Sequence, residues 1–156
     1  MSKPLALLAP VVASLAFAAT AAPAATPTNF RVTQAVPSSV IYGGLGGFTF
    51  GSTTGAFPFV GRATMAVESF FHFDLLTFQT FAGFDVTFTT GQGDTLELFS
   101  GDIPSTDFLS SGTWTVTHAT GRFASYSGSG TFTVSVSGLP PDDLTQTVTL
   151  TGSLSP

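Results

Sequence analysis

A chain whose apolar residues recur at every second position can bury them along one face of a strand, because successive strand side chains point to opposite sides. Residues 63–75 hold this period longest: Ala63, Met65, Val67, Phe71, Phe73 and Leu75 stand at odd positions, with Arg62, Thr64, Glu68, His72 and Asp74 at even ones. That pattern marks a sheet with one dry and one wet face. Residues 112–136 repeat it with glycine punctuation. Trp114 and Val116 alternate with Thr113, Thr115 and Thr117, and Phe132, Val134 and Val136 alternate with Thr131, Thr133 and Ser135. The stretch reads as three antiparallel strands, turned at Ala119-Thr120-Gly121 and at Ser127-Gly128-Ser129-Gly130, where glycine reaches positive φ without steric cost.

The rest of the chain obeys the same rule. Phe30, Val32 and Val36 mark a first strand that Pro37-Ser38-Ser39 closes. The glycines between 43 and 47 bring neither a lysine nor a following helical pattern, so they read as a turn or bulge before a strand at 48–50, not as a phosphate loop. Phe84, Val86 and Phe88 share a face, and the turn at 90–94 leads to a strand at 95–99. Asp102, Pro104 and Asp107 mark a loop, and the run from Gly138 to Asp143 marks a turn. The closing strand, 146–154, places Val148, Leu150 and Leu154 together. Seven to nine strands without an amphipathic helix define an all-β class. The expected architecture is a single antiparallel β-barrel of about eight strands, with a two-sheet β-sandwich as the alternative. Closure suits a chain so poor in lysine, which has little charge with which to guard exposed strand edges.

Residues 1–24 have the build of a secretory signal peptide: Lys3 at the head, an apolar run over 5–19, and small residues around Ala21 and Ala24. Pro10 interrupts that run and alanines dominate its second half, which argues against a membrane anchor. The expected mature protein starts between Ala22 and Thr26 and is secreted or periplasmic. Residues 25–156 then form one β-barrel domain behind a short disordered lead, a size that buries roughly two thirds of the unfolded surface. There is no cysteine, which excludes disulfides and thiolate chemistry. Without Lys3 the chain keeps Arg31, Arg62 and Arg122 against nine carboxylates, a net charge of −6. Such a surface makes nucleic acid and anionic lipid poor partners.

The residues Thr120-Gly121-Arg122-Phe123, followed by Gly128-Ser129-Gly130-Thr131-Phe132 and preceded by Gly91-Gln92-Gly93-Asp94-Thr95-Leu96 and Gly101, resemble a motif of exported bacterial β-barrel proteins of unknown function. In that group a Gly-Gly-Thr-Gly-Arg-Phe hairpin follows an Asn-Gly-Asp turn. The hairpin is similar to that of the allene-oxide-cyclase and dirigent type of barrel, which implies eight antiparallel strands around an apolar cavity. The likeness covers residues 60–136. His118-Ala119 stand in place of the Gly-Gly pair and Gln92 in place of the asparagine, so the turns need not match the group's.

Chemistry is sparse. Glu68, His72 and Asp74 share one face of one strand and are the weak candidates for proton transfer. The competing reading, that this face simply meets water, is favoured because the phenylalanines occupy the opposite face. His72, Asp74 and the distant His118 do not make up a metal site, and no Gly-x-Ser-x-Gly elbow supports a serine nucleophile. No metal and no cofactor is expected. Sixteen phenylalanines beyond the leader exceed what a core of this size requires, and adjacent Phe70 and Phe71 must face opposite ways. An apolar cavity or an apolar outer patch follows. Alternation and aromatics would also fit an outer-membrane barrel, but most runs are shorter than the roughly 9–11 residues a bilayer needs, and Pro156 stands where such barrels usually end in an aromatic. The expected function is that of an exported small β-barrel, non-catalytic, binding an apolar small molecule or serving as a surface or matrix component, without stable membrane insertion. The alternative is a cofactor-free cyclase- or dirigent-like barrel enzyme.

Overall fold

The computed structural model describes residues 26–104, 111–139 and 143–156. The expected leader, the Asp107 part of the expected loop and the Pro140-Pro141-Asp142 part of the last turn lie outside them, whereas Asp102 and Pro104, expected in that loop, belong to a strand that runs on to Pro104. Eight strands form one closed antiparallel barrel: β1 (Thr28–Gly43), β2 (Gly46–Phe57), β3 (Gly61–Asp74), β4 (Gln79–Thr90), β5 (Thr95–Pro104), β6 (Ser111–Ala119), β7 (Ser127–Leu139) and β8 (Asp143–Ser155). Each strand pairs with its neighbour in sequence, and β1 returns to β8. The barrel expectation holds, and the sandwich alternative does not; the strands, 9 to 16 residues long, exceed the short runs read from the sequence, so length does not argue against a transmembrane barrel.

The first strand closes the ring by changing partners. Residues Thr28 to Ser38 pair with β8, and Ser38 to Gly43 pair with β2. The run therefore continues through Pro37, where sequence reading had it end. Pro37 is exposed on the outer wall just where the strand passes from one neighbour to the next, so its missing N–H does not stop the strand.

The hairpin at 112–136 also differs from expectation. It contains two strands, not three. Between β6 and β7 the chain makes a 3₁₀ turn, Gly121–Phe123, in which the Phe123 N–H donates to the Thr120 carbonyl at 3.0 Å and the Ala124 N–H to that of Gly121 at 3.1 Å. Phe123 is an apolar residue pushed into the core, not a strand residue on a pleated wall. Gly128 and Gly130 are regular members of β7, not a bend. A side chain on Gly130 would strike the indole of Trp114, which lies across Gly130 and its register partner Gly152.

The interior parity predicted for residues 63–75 positions β3 as drawn, ending at Asp74: Ala63, Met65 and Val67 are buried, as are Phe84, Val86 and Phe88 opposite them on β4. A bulge sets the direction of one side chain. Glu97 pairs with His118 but Leu98 pairs with Val116, so β6 spends an extra residue at Thr117. The parity flips there, and His118 turns outward beside Glu97 although Trp114 and Val116 share its numbering phase.

Aromatic rings fill one end of the barrel. Phe84 and Phe132 stack with centroids 4.2 Å apart, Phe57 and Phe59 stand edge-on to Phe88 at 5.0 and 5.3 Å, and Phe30 bridges Phe59 and Trp114. An eight-stranded barrel is just wide enough for side chains to fill, and here large rings do so. Fully burying each such side chain is worth roughly 1.5–3 kcal/mol.

Candidate functional site

The two ends of the barrel are built from different chemistry. The closed end carries the β2–β3, β4–β5 and β6–β7 connections, and the glycine motif assembles there. The Thr120 N–H donates to the Thr95 carbonyl at 2.9 Å, and the Thr95 N–H donates to the Thr120 Oγ1 at 2.9 Å, which ties the two turns together. Gly121 has φ of +56°, and a side chain on it would run into the Asp94 carboxylate. Arg122 approaches that carboxylate at 3.9 Å, lies over the Phe123 ring at 4.7 Å and donates to the Val60 carbonyl. The motif thus caps the barrel beneath the buried Phe123, and its residues are occupied in doing so.

The open end carries the β1–β2, β3–β4 and β7–β8 connections. Among the described residues, every large apolar side chain with substantial exposure belongs to it: Ile41, Tyr42, Leu45 and Phe48 in the first hairpin, Leu75, Leu76 and Phe78 in the second turn, and Val136 and Leu139 at the end of β7. Leu76 is 92% exposed and Phe78 77%. At this end a cavity of about 340 Å³ opens, lined by Val40 and Tyr42 from β1, Thr49 from β2, Ser69 and Phe71 from β3, Val134, Val136 and Gly138 from β7, and Leu144 from β8. Small residues leave the space. Gly47 stands inward opposite Phe71, and a side chain there would press on the Phe71 and Tyr42 rings.

A polar relay floors the cavity and separates it from the aromatic core. Ser69 donates to Gln146 Oε1 at 3.1 Å, Gln146 Nε2 donates to Ser38 Oγ at 3.0 Å, and Ser38 donates to the Val36 carbonyl at 2.9 Å. Gln146 is fully buried. Its amide is tolerable there because both of its ends are hydrogen-bonded. Gly51 makes room for the relay, since a side chain on it would strike the Ser38 hydroxyl. Sequence reading passed over Gln146, although the signal was present: it shares the parity of Val148 and Leu150, which places a polar amide on the apolar face.

Glu68, His72 and Asp74 stand on the outer face of β3. Glu68 and His72 are exposed, and His72 stacks on Phe81 with centroids 5.5 Å apart. Asp74 Oδ1 accepts the Leu76 N–H at 2.7 Å; that backbone bond, foremost, holds its carboxyl below the usual range. None of the three lines the cavity. Glu68 instead pairs in register with Asp85, whose carboxyl is pushed up to about 6, first by burial, then by the charges of Glu97 and Glu68 and against a hydrogen bond from Thr87. Adjacent Phe70 and Phe71 do part: the Phe70 ring covers Gly83 on the outer wall, while Phe71 packs against the core. Among the described residues no three potential metal ligands gather.

No family model matches the sequence, and no curated protein matches it. Among solved structures, that of a pterocarpan synthase dirigent protein is similar at 10% identity, with 93% of this chain and 98% of that chain covered and a TM-score of 0.47.

Proposed function

We propose that this chain is an exported, non-catalytic β-barrel that binds an apolar small molecule in its open end. The observation that carries the reading is the 340 Å³ cavity, apolar in most of its lining, with the exposed Tyr42 and Val136 among its lining side chains. A concave apolar site with a few convergent polar groups is the common form of a small-molecule site. The lumen offers little for acid–base catalysis: among the residues whose side chains are described, the carboxylates, imidazoles and guanidinium groups lie on the outer wall or at the turns, and the inward polar groups are hydroxyls and amides. The outer wall supports a water-facing barrel. Thr131, Thr133 and Ser135 on β7 pair with Thr151, Thr149 and Thr147 on β8, a hydroxyl lattice where a transmembrane barrel presents an apolar band. Export rests on the signal-like first 24 residues.

Titration with the neutral dye N-phenyl-1-naphthylamine tests the binding reading. Saturable fluorescence enhancement is expected in the wild type, with loss of most affinity in Val136→Trp, which puts a large ring at the mouth. Absence of saturable binding, or equal binding by the variant, would remove this cavity as the site. For export, mass spectrometry of the exported protein should give a first residue between Ala22 and Thr26.

A further inference from the structure

We propose that the cavity selects a ligand whose apolar body ends in a hydroxyl, an alcohol or a phenol, and that Ser69 and Thr49 read that group. The proposal rests on the apolar-ligand reading above and adds a polarity to it. A serine has one hydrogen to donate. That of Ser38 is committed to the Val36 carbonyl, so toward Gln146 Ser38 can only accept, and the Gln146 amide must turn its NH₂ that way. Oε1 is thereby directed at Ser69, which must donate to it. The direction of each bond follows from the last, starting at a backbone carbonyl.

The consequence appears in the cavity. Ser69 lines it with its hydrogen already spent, presenting only acceptor lone pairs. Directly opposite in register on β2, Thr49 lines the same cavity, and among the described residues its side chain makes no hydrogen bond, so its hydroxyl can donate. A ligand hydroxyl satisfies both: it donates to Ser69 and accepts from Thr49. An ether or ketone can meet only Thr49 and leaves the Ser69 lone pairs without a donor. A carboxylate would bring a charge into a cavity whose described lining holds no cation, at a heavy desolvation cost.

The test compares two probes of nearly the same shape, 2-naphthol and 2-methoxynaphthalene, by titration calorimetry on the mature chain. The wild type should bind the naphthol about five- to tenfold more tightly, the increment of one added hydrogen bond. Ser69→Ala should erase that preference while leaving ether affinity within about twofold. Gln146→Met, which returns the Ser69 proton to the cavity, should narrow the preference by improving the ether. If both probes bind wild type equally, or the preference survives in Ser69→Ala, the hydroxyl inference is overturned and apolar binding stands. If neither probe binds, both readings fall.

Discussion

Two residues at positive φ, one at each end of the barrel, differ in kind. At the closed end the position is Gly121, at +56°, where the backbone conformation costs nothing and any side chain would meet Asp94. At the open end it is Phe78, at +55°, a bulky residue in a conformation that L side chains rarely adopt, with its ring 77% exposed. At the closed end the positive φ falls on glycine and no described large apolar side chain is exposed, whereas the open end carries both a strained backbone and an exposed aromatic at Phe78. Departures of this sort concentrate where a structure serves something other than its own folding. The same contrast runs through the lumen. Below the relay, Phe and Trp rings fill the barrel; above it, Thr49, Ser69 and Gly138 leave it empty.

Truncation at the two ends gives the largest expected separation. Phe88→Ala, deep among the closed-end rings, should cost about 3–5 kcal/mol in chemical denaturation. Val136→Ala, on the interior face yet 58% exposed, should stay within about 0.5 kcal/mol. Similar losses would mean the open end is packed and the comparison is false.

The two positive-φ positions should answer with opposite signs. Gly121→Val is expected to destabilise by about 1 kcal/mol or more, through backbone strain and collision with Asp94. Phe78→Gly should stabilise by roughly 0.5–1 kcal/mol by relieving strain. A destabilised Phe78→Gly would show that its edge-on contact with Phe73, at 6.3 Å, outweighs the strain.

Between the ends, the outer wall carries its own pH dependence. Asp85 has a carboxyl raised from 3.8 to about 6, so the folded protein binds its proton more tightly than the unfolded chain does. The corresponding stability is fully present below about 3.8 and is lost as pH rises through about 6. Asp85→Asn should therefore raise the denaturation midpoint at pH 7 and flatten the profile between pH 4 and 6. An unaltered profile would remove Asp85 as the source of this pH dependence.

The sequence made the walls legible and the lumen hardly at all. Alternation assigned inward and outward faces on β3, β4 and β8, because a period of two is local information. It misplaced the end of β1 at Pro37, since a change of partner strand leaves no local trace. It drew a third strand through Phe123, because a 3₁₀ turn and a short strand share composition over so few residues. Glu68, His72 and Asp74 drew attention as the titratable side chains of the most regular strand. The cavity instead involves Thr49 and Ser69, paired in the β2–β3 hairpin, and behind them Gln146 of β8, which reaches Ser69 only when the barrel closes.

The smallest expected effect concerns that outward group. His72→Ala with Asp74→Ala removes a ring stacked on Phe81 and a carboxylate that accepts a turn N–H, both at the surface. Surface changes of this type alter stability by about 0.5 kcal/mol or less. A buried pair would behave otherwise, since deleting one partner leaves the other desolvated at about 1–3 kcal/mol. The double variant should also keep wild-type affinity for 2-naphthol, because neither side chain lines the cavity. Loss of a large share of stability would contradict the outward placement. Loss of turnover of a candidate substrate, with the fold and ligand binding intact, would instead make the outer wall of β3 the chemical surface and a cyclase-like enzyme the better reading.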